Sequence, residues 1–112
     1  MSHELTDEAI LDEIKHHLNE NAVMLFMKGS PRAPSCGFSA AVVEIFDSMG
    51  VQYGAMDVLA DPRIREVLSQ HSNWPTIPQV FLRGELIGGG DIVKELAASG
   101  GLKAKIEAAL AS

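Results

Sequence analysis

Six consecutive apolar residues, Ala22 to Met27, constrain this chain more than any other feature. A strand with one face in water alternates apolar and polar residues, whereas a strand apolar at every position needs cover on both faces. Such a strand lies inside a sheet with helices packed on either side, and the flanking sequence supplies them. Upstream, Thr6 is a good N-cap, and Asp7 and Glu8 complement the positive end of a helix. Leu5 and Ile10 have the spacing of a hydrophobic staple, and Ile10, Ile14 and Leu18 continue one apolar face. A first helix is therefore predicted from Asp7 to about Asn19. Downstream, KGSPRAPS reads as a loop, with Ser35 as N-cap of the next helix. Ala41, Val42, Ile45, Phe46 and Met49 recur at helical spacing from Gly37 to Met49, and Gly50 ends the run.

The same reading continues to the end of the chain. Val51 to Val58 is predicted as a second strand, with Val51, Tyr53 and Ala55 on one face. Asp61 is a cap followed by Pro62 at the first helical position, which starts a helix to about His71 with Ile64, Val67 and Leu68 inward. Asn73 to Pro78 is a loop with two prolines. Gln79–Leu82 and Leu86–Gly88 form a hairpin turning at Arg83–Gly84–Glu85. Gly88, Gly89 and Gly90 lead into Asp91 and a helix to about Ala98, and Gly100–Gly101 separates it from a last helix, Leu102 to Leu110. The predicted order is αβαβα–ββ–αα. It gives an α/β domain over residues 1–112, a mixed four-stranded sheet flanked by helices in the thioredoxin-like arrangement.

Composition narrows the function classes. The hydrophobic fraction of 46% and charged fraction of 21% are ordinary for a soluble globular domain. No apolar run approaches the roughly 20 residues that span a bilayer. The acidic N-terminus, MSHELTDEAI, lacks the basic flank and apolar stretch of a signal peptide, so a cytoplasmic location is expected. A formal net charge of −6 argues against nucleic acid or an anionic membrane as the main partner.

The chain has one cysteine, Cys36, so no internal disulfide is available, and a lone thiol suits a reducing compartment. Out of context such a residue is more often a small buried hydrophobe. Here it follows the first buried strand and opens a helix, where unpaired backbone N–H groups and the helix dipole favour the thiolate. Lys28 at the strand end adds positive charge. Three places on, where a two-cysteine redox motif carries its resolving thiol, stands Ser39, so any disulfide at Cys36 is with another molecule. Other constellations fail. His3, His16, His17 and His71 form no chelating set, since adjacent helical residues point about 100° apart. No signature accompanies a Cys–His hydrolase, and the three glycines lack the GK[ST] ending of a phosphate loop.

Taken together, the Cys36–Gly37–Phe38–Ser39 motif, the longer preceding loop with Lys28, the Trp74–Pro75–Thr76–Ile77–Pro78 segment and the Gly88–Gly89–Gly90–Asp91 turn resemble the monothiol, CGFS-type glutaredoxins over nearly the whole chain. The resemblance implies a glutathione site in which Lys28 and Arg65 hold the glycine carboxylate. Ile77, preceding a cis Pro78, pairs its backbone with the cysteinyl part. The backbone at Gly90 and the side chain of Asp91 take the γ-glutamyl end. The chemistry is consistent: cations suit a carboxylate, and a helix start offers N–H groups to another. Taken singly, Lys28 and Arg65 are more often solvated charges, the glycines a plain turn, Trp74 a core anchor and Asp91 an N-cap. Gly90 stands where many relatives carry Cys or Ser, and Ile77 where bacterial relatives often carry Phe.

The resemblance also implies a carrier of a [2Fe–2S] cluster in iron–sulfur biogenesis. Such a cluster usually takes four thiolates; two chains supply two through Cys36, and two glutathiones complete the set in a cluster-bridged homodimer. BolA-type proteins and apo iron–sulfur proteins are the implied partners. The alternative is a glutathione-dependent thiol oxidoreductase that removes glutathione from protein mixed disulfides, an activity the longer loop makes weak. A bare interaction module with an incidental thiol is a third possibility.

Overall fold

The computed structural model describes residues 6–111. The staple at Leu5 and the histidine at position 3 lie outside that range. Helix α1 (Asp7–Glu20) begins at Thr6, whose hydroxyl accepts a hydrogen bond from Ala9 N at 3.0 Å. Strand β1 (Val23–Met27) is buried at every position, as its unbroken apolar sequence requires. Two short strands, β2 (Gly29–Ser30) and β3 (Ala33–Pro34), follow, then helix α2 (Gly37–Met49), β4 (Gly54–Asp57) and helix α3 (Pro62–Ser72). The chain ends with β5 (Gln79–Leu82), β6 (Glu85–Gly88), α4 (Gly90–Ser99) and α5 (Gly101–Ala111).

The main sheet has the order β4-β1-β5-β6. β1 runs parallel to β4, with Leu25 opposite Ala55, and antiparallel to β5, with Leu25 opposite Val80. β5 and β6 are antiparallel neighbours. The sheet is therefore mixed and four-stranded, with helices on both sides, as the sequence predicts.

Because side chains alternate across a strand, β1 divides its residues between two cores. Val23, Leu25 and Met27 face α2, α4 and α5, among Val42, Phe46, Val93, Leu102 and Ile106. Met24 and Phe26 face α1 and α3, among Ile10, Ile14, Val67, Leu68 and Phe81. The Phe26 and Phe81 rings meet edge-to-face, centroids 5.5 Å apart. Each such buried side chain contributes about 1.5–3 kcal/mol, and these two layers, not a covalent staple, hold the fold.

Four local expectations need correction. KGSPRAPS is not a plain loop: it folds into the β2–β3 hairpin, closed by Ser35 N–H donating to Lys28 O at 2.9 Å. The second strand is Gly54–Asp57, shorter than Val51–Val58. Pairing starts where Met24 meets Gly54, and by the same register residues 51 and 52 fall opposite residues 21 and 22, before β1 begins. Val51 and Tyr53 still pack on the α2 side. The N-cap of α2 is Cys36 rather than Ser35, with no side-chain hydrogen bond. The N-cap of α4 is Gly89 rather than Asp91, which lies inside the first turn.

Candidate functional site

The topology gathers the chemistry at one end of the sheet. β1 points its C-terminal end there, and so do parallel β4 and, beyond antiparallel β5, β6. Lys28 thus leaves β1 beside the start of α2, the segment before β5 arrives at the same edge, and Gly88 delivers the start of α4. There Lys28, Cys36, Arg65, Ile77, Gly90 and Asp91 line one cleft of about 460 Å³. All six residues singled out in the sequence share this cleft. Lys28 is half-buried and Arg65 exposed, and neither is drawn into an ion pair among the described residues.

Cys36 is half-buried at the N-terminus of α2. Its thiol is held below the usual cysteine range, chiefly by the backbone N–H of Ser39. Burial opposes this; the Phe38 N–H, the Lys28 charge and the Ser39 hydroxyl reinforce it. The cause is thus mostly the open start of a helix, with the lysine a lesser contributor. Ser39 is fully buried and its hydroxyl accepts from Lys28 N at 3.1 Å, which ties the strand end to the helix start. Asp57 adds a second tie: its Oδ1 accepts from Gly29 N at 2.9 Å and Leu59 N at 2.8 Å.

The opposite wall is the segment Trp74–Pro78, with a cis bond between Ile77 and Pro78. Trp74 is half-buried and belongs to neither core, so it is a cleft wall rather than a core anchor. Ile77 is 7% exposed and does pack into the α1–α3 core. The open start of α4 closes the cleft, its first-turn N–H groups lacking partners within the helix. A Cβ at Gly90 would lie 3.2 Å from Phe38 Cδ1, a contact that a shift of a few tenths of an ångström in the exposed Phe38 ring relieves. Phe38, 52% exposed, lies close over Gly90 with Lys94 Nζ 5.6 Å from its ring centroid. Phe38, Thr76 and Ile92 line the cleft although sequence reasoning gave them no site role. Phe38 and Thr76 sat within the recognised motifs, and the signal available was their place beside Cys36 and Ile77.

Among the described residues no group of three or more His, Cys, Asp or Glu side chains gathers as a metal site. No described helix is long and apolar enough to cross a membrane.

Comparisons with known proteins agree with this geometry. The glutaredoxin family model matches residues 23–87. Glutaredoxin 4 of Haemophilus ducreyi is 50% identical over 92 residues, 82% of this chain and 86% of that protein. Monothiol glutaredoxin-S17 of Arabidopsis thaliana is 47% identical over 100 residues, but the chain spans only 20% of that longer protein. Among solved structures, reduced apo GrxS14 from poplar superposes with a TM-score of 0.84 at 36% identity, covering 94% of this chain and 96% of that one. A buckwheat glutaredoxin–glutathione complex superposes at 0.81 with 26% identity, covering 92% of each chain. With a single thiol heading α2, serine at the resolving position and about half of the aligned residues identical to those of bacterial relatives of nearly its own length, the chain belongs to the glutaredoxin family, on its monothiol branch.

Proposed function

We propose that this chain binds glutathione in the cleft and, through Cys36, holds a [2Fe–2S] cluster between two copies for delivery to apo iron–sulfur proteins. The observation that carries the reading is one activated thiol at a cleft with cations on one side and an open helix start on the other. Glutathione carries a carboxylate at each end, an amine at one, and a thiol between them. Lys28 and Arg65 match the glycine carboxylate, and the α4 N–H groups match the γ-glutamyl carboxylate. Asp91 matches the amine, and the Ile77 backbone the cysteinyl part. The glutathione bound by the buckwheat relative, on the same fold, supports this reading.

The make-up of the proposed cluster's ligand set follows from counting thiolates. Four are usual, and the chain has one cysteine. Two copies and two glutathiones complete the set, which makes the cargo exchangeable and the dimer conditional on it. A BolA-type protein in place of one copy, and a cytoplasmic setting, belong to the same proposal. The lowered thiol pKa favours a second, weaker activity. Here the Cys36 thiolate attacks the glutathionyl sulfur of a protein mixed disulfide, the protein thiolate leaves, and a second glutathione thiolate attacks the Cys36 disulfide, restoring Cys36 and leaving as glutathione disulfide.

The test is anaerobic reconstitution with ferrous iron, sulfide and glutathione, followed by visible absorption. The wild type should develop a cluster band. A Cys36→Ser variant that colours equally would overturn Cys36 as the cluster ligand, and a wild type that stays colourless while still clearing glutathionylated protein would leave the oxidoreductase reading.

A further inference from the structure

Gln79 is fully buried at the head of a central strand, a position that apolar residues normally fill. A buried amide is retained where hydrogen bonds hold it. Both of its contacts run to the cleft wall: Nε2 donates to Trp74 O at 2.9 Å and to Thr76 O at 3.2 Å. That wall is short of donors of its own, because Pro75 and Pro78 have no N–H. Trp74 N is spent on Ser72 Oγ at 3.2 Å. Gln79 Oε1 has no hydrogen-bond partner among the described residues, so the amide is anchored by its donors alone. Gln79 does not itself line the cleft.

We infer that Gln79 is a positioning residue that holds the Trp74–Ile77 wall from behind and thereby sets the selectivity of the cleft for glutathione. This rests on the glutathione reading above. The wall is then preformed, and loss of the two donors loosens it without touching Cys36 or the start of α2. Trp74, the only tryptophan, reports on the wall directly.

The experiment compares wild type with Gln79→Met, which keeps the volume and removes both donors. Each is reacted with glutathione disulfide and with bis(2-hydroxyethyl) disulfide, a probe too small to use the cleft. In both reactions the Cys36 thiolate forms a new S–S bond, the probe's S–S bond breaks, and a thiolate leaves. The variant should react about tenfold more slowly with glutathione disulfide, unchanged with the small disulfide, and its Trp74 emission should shift. Equal slowing of both reactions, or no slowing of either, overturns the inference while the wild-type preference for glutathione disulfide stands. A wild type with no such preference removes the glutathione reading and this inference with it. Should Gln79→Met fail to fold, the near-UV dichroism of wild-type Trp74 decides. A structured band before glutathione is added supports a preformed wall, and one that develops only on addition contradicts it.

Discussion

The Cys36 thiol is acidified first by a backbone N–H and only later by a lysine, and that order sets what substitutions do. Its folded pKa lies below the unfolded value. The thiolate therefore contributes stability that is complete above the ordinary thiol pKa and is lost as pH falls through the folded one. Alkylation rate against pH should show Cys36 titrating below a free cysteine. Lys28→Ala should move that midpoint up but not back to the ordinary value, since the Ser39 N–H remains; full reversion would make the lysine dominant. Cys36→Ser should remove cluster binding and leave the fold intact. Serine is a favoured N-cap, which offsets the loss of the thiolate's interaction with the helix start, so stability should hold to within ~1 kcal/mol. Loss of helical circular dichroism would contradict this. Ser39 is fully buried one turn on, and its hydroxyl is among the groups that hold the Cys36 thiol below its ordinary pKa. Ser39→Cys should form an intramolecular disulfide on oxidation, detected by mass spectrometry, at a cost of about 1 kcal/mol for the lost Lys28 N contact. A product carrying only a glutathione adduct would mean that the two positions do not face each other.

At the scale of elements, the β2–β3 hairpin separates what the sequence shows from what it hides. Helix α2 was legible to the residue, because its apolar spacing and Gly50 are local signals, and β1 was legible because nothing else explains an unbroken apolar run. The hairpin was not legible. Its strands are two residues long, prolines stand in its turn (Pro31) and second strand (Pro34), and Asp57, which anchors Gly29, lies 28 residues away. No local pattern encodes such a contact. The caps at Cys36 and Gly89 were missed for the opposite reason: Ser35 and Asp91 are the better capping residues, and the structure keeps the true caps free of side-chain bonds. Open helix starts are what an anion or thiolate site needs, so local preference failed where the chemistry sits. Gly29 has φ +87°, and a Cβ there would lie 2.8 Å from Ser35 N. Gly29→Ala should therefore cost well over ~1 kcal/mol and also raise the Cys36 midpoint, by disturbing the turn that leads into it. Chemical denaturation and the alkylation profile read the two effects, and a destabilised variant with an unshifted thiol would uncouple hairpin from site.

Across the whole molecule, the cleft is built from stretches far apart in sequence that meet at one end of the sheet. The strand order brings Lys28 and Cys36 to the cis-proline segment and the start of α4, with Arg65 from α3 on the rim. That convergence was legible through the family motifs, since periodicity alone places no residue of α3 beside β1. The cleft supplies one thiolate where a [2Fe–2S] cluster usually takes four, and under the proposed function the dimer exists only with cluster and glutathione. Removing the Lys28 or Arg65 cation should weaken the carboxylate contact by roughly 1.5–3 kcal/mol and loosen the cluster without removing an iron ligand. The direct measurement is sedimentation velocity of reconstituted protein followed at a cluster absorption band, with glutathione present and after its removal. A coloured dimer is expected with glutathione, and a colourless monomer once it is dialysed away. A coloured species that sediments as a monomer, or a coloured dimer that persists without any added thiol, would contradict the proposal.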